Sequence, residues 1–114
     1  MEHVFATAAA ANVSVFASAG DSGSSTCYHH DGTTQAQSAS YPATSAYTTA
    51  VGGTNLALDA SNAIAGSSVW NDQPLNGGDS AGGGGPSVFV AAPSWQSGTG
   101  TGDTMRTTPD VAFL

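Results

Sequence analysis

The chain has 114 residues, the length of a single domain. Charged residues make up only 8% of it, and the formal net charge is −7, with Arg106 as the sole lysine or arginine. This balance excludes nucleic-acid binding through phosphate neutralisation and a basic membrane-surface role, and no apolar run approaches the roughly 20 residues that span a bilayer.

Large apolar side chains are few, whereas glycine (15 residues), serine, threonine and alanine are abundant. Glycine and small polar residues favour turns and loops. A chain of this composition buries only a thin core by itself. We therefore expect it to depend on neighbouring segments of a longer protein.

The first elements predict a layered α/β fold. Residues 2–11 are rich in alanine, without Gly or Pro, and predict a helix that Asn12 ends in a left-handed conformation. Residues 13–17 form a compact apolar run and predict a strand. A helix that leads directly into such a strand is typical of a parallel sheet.

Loops and short strands are expected in the remainder. Residues 20–40 predict a long surface loop, and residues 48–51 a second strand that Gly52 and Gly53 close, with residues 55–58 as its possible continuation. Residues 68–70 and 88–90 are short strand candidates on either side of the glycine-dense loop 77–85. Both tryptophans of the chain are expected to anchor the core.

Two local features resemble ligand-binding sites, but each lacks residues that such a site needs. The His29–His30 pair has no second His or Cys cluster to complete a metal site, so no metal ligand is predicted. The glycine-dense loop lacks the lysine and spacing of a phosphate loop. The lone Cys27 indicates either a disulfide partner elsewhere or a free thiol.

Five short segments occur together in a distinctive order. They are V-F-A-S-A-G-D-S-G at 15–23, Y-P-A-T-S at 41–45, A-V-G-G-T at 50–54, G-G-G-P-S at 83–87 with P-S-W-Q at 93–96, and R-T-T-P-D-V at 106–111. In these segments the chain resembles the sedolisin family of serine-carboxyl peptidases over nearly its whole length. The resemblance implies an α/β fold, part of a subtilisin-like, mostly parallel sheet flanked by helices, with long Gly-rich loops.

The resemblance also implies an acid-acting, secreted endopeptidase that acts on protein or peptide substrates. By the resemblance, Asp21 matches the aspartate of the family's oxyanion hole. An ionised carboxylate only accepts hydrogen bonds and would repel the oxyanion, whereas a protonated one donates. Free aspartic acid has a pKa near 3.9, so this role predicts activity in acid.

Five further residues match positions that bind substrate in the family: His30, Ser40, Gly83, Gly84 and Gly85. The first two align with the primary specificity pocket. The glycine triplet aligns with a stretch near the cleft, where missing side chains permit close backbone approach. Pro86 and Gly82 depart from the family pattern at the edges of the triplet.

The resemblance places the other catalytic groups outside this chain. The catalytic Glu and Asp lie upstream, the nucleophilic Ser lies downstream in a Gly-Thr-Ser motif, and the calcium site is further downstream of Leu114. Residues 1–114 are therefore expected to be an incomplete central to C-terminal segment of a peptidase domain. It is predicted to be extracellular with its parent, without signal or pro-segment, without cofactor of its own, and inactive alone.

Two other interpretations remain open at this point. A subtilisin-type relative is disfavoured because Asp21, rather than Asn, occupies the oxyanion position. A secreted Gly/Ser/Thr-rich β module that binds a surface or polysaccharide fits the composition, but such modules show several alternating strands at regular spacing.

Overall fold

The computed structural model describes residues 1–25, 27–28, 35–72, 75 and 80–114. This part of the chain contains one α-helix, eight strands and a 3₁₀ turn at Ser94–Gln96. They are α1 (Glu2–Ala10), β1 (Phe16–Ser18), β2 (Cys27–Tyr28), β3 (Gln35–Ala36), β4 (Thr49–Leu58), β5 (Ile64–Val69), β6 (Gly85–Ala91), β7 (Met105–Thr108) and β8 (Val111–Phe113). No helix within these ranges is long and apolar enough to cross a membrane.

Helix α1 begins and ends close to its predicted bounds. Asn12 follows it with φ 57°, the left-handed conformation expected of a C-terminal stop. The first turn of α1 is tied to the segment before β4, because the Ser45 hydroxyl donates to a Glu2 carboxylate oxygen at 2.7 Å. The rings of Phe5 and Tyr41 lie 6.2 Å apart in the same contact.

Strand β4 is the centre of a parallel arrangement, as the sequence predicted. Its first half pairs in parallel with β1, with Ala50 opposite Ala17. It also pairs in parallel with β8, with Val51 opposite Val111. The carboxyl ends of β1 and β8 therefore lie beside residues 51–53, in the middle of β4.

The second half of β4 forms an antiparallel hairpin with β5. The prediction that Gly52 and Gly53 close the strand is wrong, because β4 runs through both of them to Leu58. Tertiary contacts explain the glycines: a Cβ at Gly52 would lie 2.9 Å from Cγ of Pro109. β5 is also longer than the predicted strand and begins at Ile64.

The turn of this hairpin is organised by Asp59. Its carboxylate accepts hydrogen bonds from the Ser61 hydroxyl at 2.6 Å and from the amides of Ser61 and Ala63 at 2.8 and 2.9 Å. These donors, the hydroxyl first, lower the pKa of Asp59. The turn is therefore held by a carboxylate in its ionised form.

The remaining strands include several that the sequence did not indicate. β6 is longer than the predicted element and pairs antiparallel with β7. β7 and β8 follow the 3₁₀ turn Ser94–Gln96, and neither was predicted as a strand. The predicted loop 20–40 contains the paired strands β2 and β3.

The core is as thin as the composition predicted. Among the described residues, the buried hydrophobic side chains are alanines: Ala19, Ala43, Ala50 and Ala81. The largest fully buried side chain is Arg106. Trp95, expected to be a core anchor, is instead 53% exposed, with its ring lying over the Arg106 guanidinium at 4.7 Å. The large apolar side chains mostly remain on the surface because this chain supplies little to cover them.

Candidate active site

Asp21 lies just beyond the carboxyl end of β1, where the chain leaves the sheet. Gly20 adopts φ 101°, a conformation that favours glycine, and turns the chain at this point. The amide of Ala81 donates to the Asp21 carbonyl at 2.9 Å, and the amide of Gly83 donates to the Gly20 carbonyl at 2.8 Å. Backbone hydrogen bonds to a second segment therefore hold Asp21 in place.

A groove of about 390 Å³ opens beside Asp21 at the carboxyl edge of the parallel strands. Its walls come from β1, from residues 51–53 in the middle of β4 and from residues 113–114 at the end of β8, together with Gly20, Asp21 and Trp70. Open sheets with parallel strands bind ligands at this edge. The position of Asp21 is thus compatible with a ligand in the groove.

The Asp21 side chain is exposed. The Ser22 hydroxyl donates to its Oδ1 at 3.3 Å. The carboxyl group can therefore reach a molecule in the groove. In its protonated form it can offer that molecule an O–H donor.

Trp70 forms a wall of the groove, a role that the sequence analysis missed by treating it as a core anchor. Its indole N–H donates to Oδ2 of Asp72 at 2.8 Å, which orients the ring. A Cβ at Gly53 would lie 3.5 Å from the ring, an ordinary contact distance, so the indole packs against this part of β4. In the sequence, Trp70 ends a predicted strand and precedes the glycine-dense loop, a position that could have indicated a groove residue. Only the fold shows on which side of the sheet its ring lies.

Gly83 and Gly84 lie in close contact with the backbone of other segments of this chain. A Cβ at Gly83 would overlap the carbonyl of Ala19, and one at Gly84 would lie 2.7 Å from the carbonyl oxygen of Thr108. Gly85 has φ 129° at the start of β6. The triplet packs behind the Asp21 turn and is not part of the groove lining.

Replacing Gly83 by alanine is expected to destabilise the fold by at least the 1–3 kcal/mol roughly typical of overpacking, because the Ala19 backbone cannot move aside easily. Urea denaturation would measure the loss. Gly66→Ala is the matched control: its Cβ would meet open space within β5, and alanine is favoured there by about 0.5–1 kcal/mol. Equal stability of the two variants would contradict the close approach at Gly83.

Two residues, Ser40 and His30, were predicted to line the specificity pocket. Ser40 is half-buried, and its hydroxyl would lie 3.0 Å from a Cβ at Gly20, so it packs directly behind the turn that presents Asp21. It is not among the groove-lining residues. His30 lies outside the described residues. Within the described ranges, no three His, Cys, Asp or Glu side chains are grouped so that they could hold a metal ion.

Three known proteins are similar to this chain in sequence. The chain is 40% identical to sedolisin from Pseudomonas sp. (strain 101) over 116 residues, which cover 98% of this chain and 19% of that protein. It is 42% identical to kumamolisin from Bacillus sp. (strain MN-32) over 127 residues, covering 98% of this chain and 20% of the relative. Xanthomonalisin from Xanthomonas sp. (strain T-22) is 41% identical over 85 residues, covering 67% of this chain and 10% of the relative.

The fold agrees with these sequence matches. The structure of Pseudomonas sedolisin, a serine-carboxyl proteinase complexed with two molecules of pseudo-iodotyrostatin, matches with a TM-score of 0.83 and 36% identity. The match covers 98% of this chain and 31% of that chain. No protein-family model matches. The chain spans about a fifth of the length of the curated relatives sedolisin and kumamolisin.

Proposed function

Because this chain belongs to the sedolisin family of serine-carboxyl peptidases, we propose that it forms the oxyanion-stabilising part of an acid-acting, secreted endopeptidase. The observation that supports this most directly is the position of Asp21 on the groove at the carboxyl edge of the parallel strands. Family membership also decides against the two other interpretations, a subtilisin-type relative and a surface-binding β module.

In the proposed reaction, a serine hydroxyl from outside this chain gives its proton to the family's catalytic Glu and attacks the carbonyl carbon of the scissile peptide bond. The C=O π electrons move to the carbonyl oxygen, which becomes negatively charged. Asp21, protonated in acid, donates a hydrogen bond to that oxygen as its charge develops. A donor that is already oriented lowers the barrier because it need not reorganise during the reaction. The backbone bonds from the segment 81–83 hold the turn that carries Asp21, which supports this role.

The remaining catalytic groups belong to other segments of the parent domain. No residue of this chain is assigned as nucleophile or base, so the chain alone is proposed to lack turnover. The calcium ion that the family implies is expected at a site downstream of Leu114. His30, Ser40 and the triplet Gly83–Gly85 are proposed to shape the substrate site together with segments from outside this chain.

A segment exchange tests the function. In Pseudomonas sedolisin, the 116 matching residues would be replaced by this chain, and hydrolysis of a peptide substrate would be followed from acidic to neutral pH. We expect the chimera to hydrolyse the peptide in acid, and the isolated 114-residue chain to show no hydrolysis. The two results together would locate the contribution of this chain.

Circular dichroism of the chimera provides the control for folding. A folded chimera without acid activity would contradict the proposed function. So would robust turnover by the isolated chain, since this would require a nucleophile and a base within residues 1–114.

A further inference from the structure

We propose that the Arg106–Asp110 pair fixes the register in which β8 pairs with β4, so that Phe113 lines the same groove as Asp21. We call this pair the register pin. Asp110 and Arg106 are thus positioning residues that act through the strand. The importance of the groove for catalysis rests on the proposed function. The pin itself can be tested without any peptidase activity.

The pairing of the strands determines which side chains share a face. Phe16 lies opposite Thr49, Val51 opposite Val111, and Gly53 opposite Phe113. Because successive side chains of a strand alternate between faces, these residues lie on one face and their neighbours, such as Ala112, on the other. In this register Phe113 shares its face with Phe16 and Val51, which also line the groove.

Strand β8 specifies its own register poorly. It has only three residues, and all of them are exposed. A slip by one position would turn Phe113 to the opposite face and bring the small Ala112 to the groove side. An additional contact outside the strand is therefore needed to hold the alignment.

Asp110, directly before β8, supplies such a contact by binding Ala50 twice. Its amide donates to the Ala50 carbonyl at 2.9 Å. Its Oδ2 accepts a hydrogen bond from the Ala50 amide at 2.8 Å. Two bonds to one residue in the middle of the sheet can form in one register only, since a slip would break both.

Arg106 holds the Asp110 carboxylate in position. Its two terminal nitrogens donate to Oδ1 at 2.8 Å and to Oδ2 at 2.5 Å, a bidentate geometry. Arg106 is completely buried and is itself fixed by the carbonyl oxygens of Ser45 and Thr48, at 3.4 and 3.3 Å. The carboxylate is therefore oriented by a side chain that has little freedom to move.

The pin lies away from the groove whose shape it controls. Asp110 borders a separate cavity of about 600 Å³, near Thr49 and Trp95, at the amino end of β4. Phe113 and Trp70 lie farther along β4, beside Gly53, and line the Asp21 groove. A change at Asp110 that alters Trp70 must therefore be transmitted through the sheet, along β8 or along the paired strand β4.

Nuclear magnetic resonance on the ¹⁵N-labelled 114-residue chain tests the pin. The readouts are the exchange rate of the Ala50 amide and the resonance of the Trp70 indole N–H. Asp110→Ala is expected to speed Ala50 exchange by at least about tenfold, since one hydrogen bond is lost and the sheet is destabilised, and to shift the Trp70 resonance. Asp110→Asn, which keeps an acceptor oxygen, should give smaller changes in both.

Asp59→Asn is the matched control, because it removes a carboxylate that also accepts backbone amides but lies in the hairpin turn. It should leave both readouts unchanged. The proposal is overturned if the Ala50 amide is unprotected in the original chain, or if its exchange changes while Trp70 does not. It is equally overturned if Asp59→Asn shifts Trp70 as much as Asp110→Asn does. If Asp110→Ala fails to fold, the Asp110→Asn comparison decides. An inactive chimera would refute the proposed function and leave these outcomes unaffected.

Discussion

Asp21→Ala, introduced into the sedolisin chimera that contains this chain, is expected to lower kcat about 10²–10³-fold at acidic pH. This is roughly the effect of removing one oxyanion donor from a serine peptidase. KM should change little, because the hydrogen bond strengthens only as charge develops on the carbonyl oxygen. Steady-state kinetics on a peptide substrate would measure both constants.

Asp21→Asn separates the proton from the position. An asparagine amide donates a hydrogen bond at any pH, whereas a carboxyl group donates only when protonated. The asparagine variant should therefore retain more activity than the alanine variant and lose less of it as the pH rises. Asp103→Ala, which removes an exposed carboxylate outside the groove, should have the original profile. Unchanged kcat in Asp21→Ala would rule out the oxyanion role.

Asp110→Ala is expected to destabilise the chain by about 3–5 kcal/mol, because it leaves the completely buried Arg106 without its counter-charge. Domains of this size are stable by only about 5–15 kcal/mol, and the core described here is thin because its buried hydrophobic side chains are alanines. The change therefore removes a large part of the total. Urea denaturation, with the midpoint and slope both fitted, would measure it.

Removing both charges is expected to cost less than removing one. Arg106→Met combined with Asp110→Leu replaces the pair by apolar side chains of similar size, which in other proteins is often nearly neutral. The double variant should therefore be more stable than Asp110→Ala. If the double variant is as unstable as the single one, the unpaired charge is not the cause of the loss.

Much of the candidate site could be predicted from the sequence because it depends on local residue chemistry. The turn at Asp21 requires Gly20, which takes the φ that glycine favours, and this appears as a short motif after an apolar strand. The close approach of Gly83 to Ala19 is similarly signalled by a glycine triplet. The helix before β1 and its end at Asn12 follow from residue propensities alone.

The parts that were wrong or missed depend on contacts between distant segments. Gly52 and Gly53 indicate a strand end by propensity, yet β4 continues through them because Pro109 and the Trp70 ring pack against their bare backbone. Trp95 indicates a core residue by size, yet it covers the buried Arg106 from the surface. No local pattern contains the partner in either case.

The sequence by itself determined the family, and the resemblance singled out Asp21 as the residue on which the proposed reaction depends. Both can be recognised from residue types at short spacing, without knowledge of the fold. Only the tertiary structure decided that Trp70 and Phe113 line the groove beside Asp21, and that Arg106 and Asp110 hold β8 in register with β4. The physical reason is that the face of a strand and the partner of a buried charge are set by pairing between segments some 60 residues apart, as between Ala50 and Asp110.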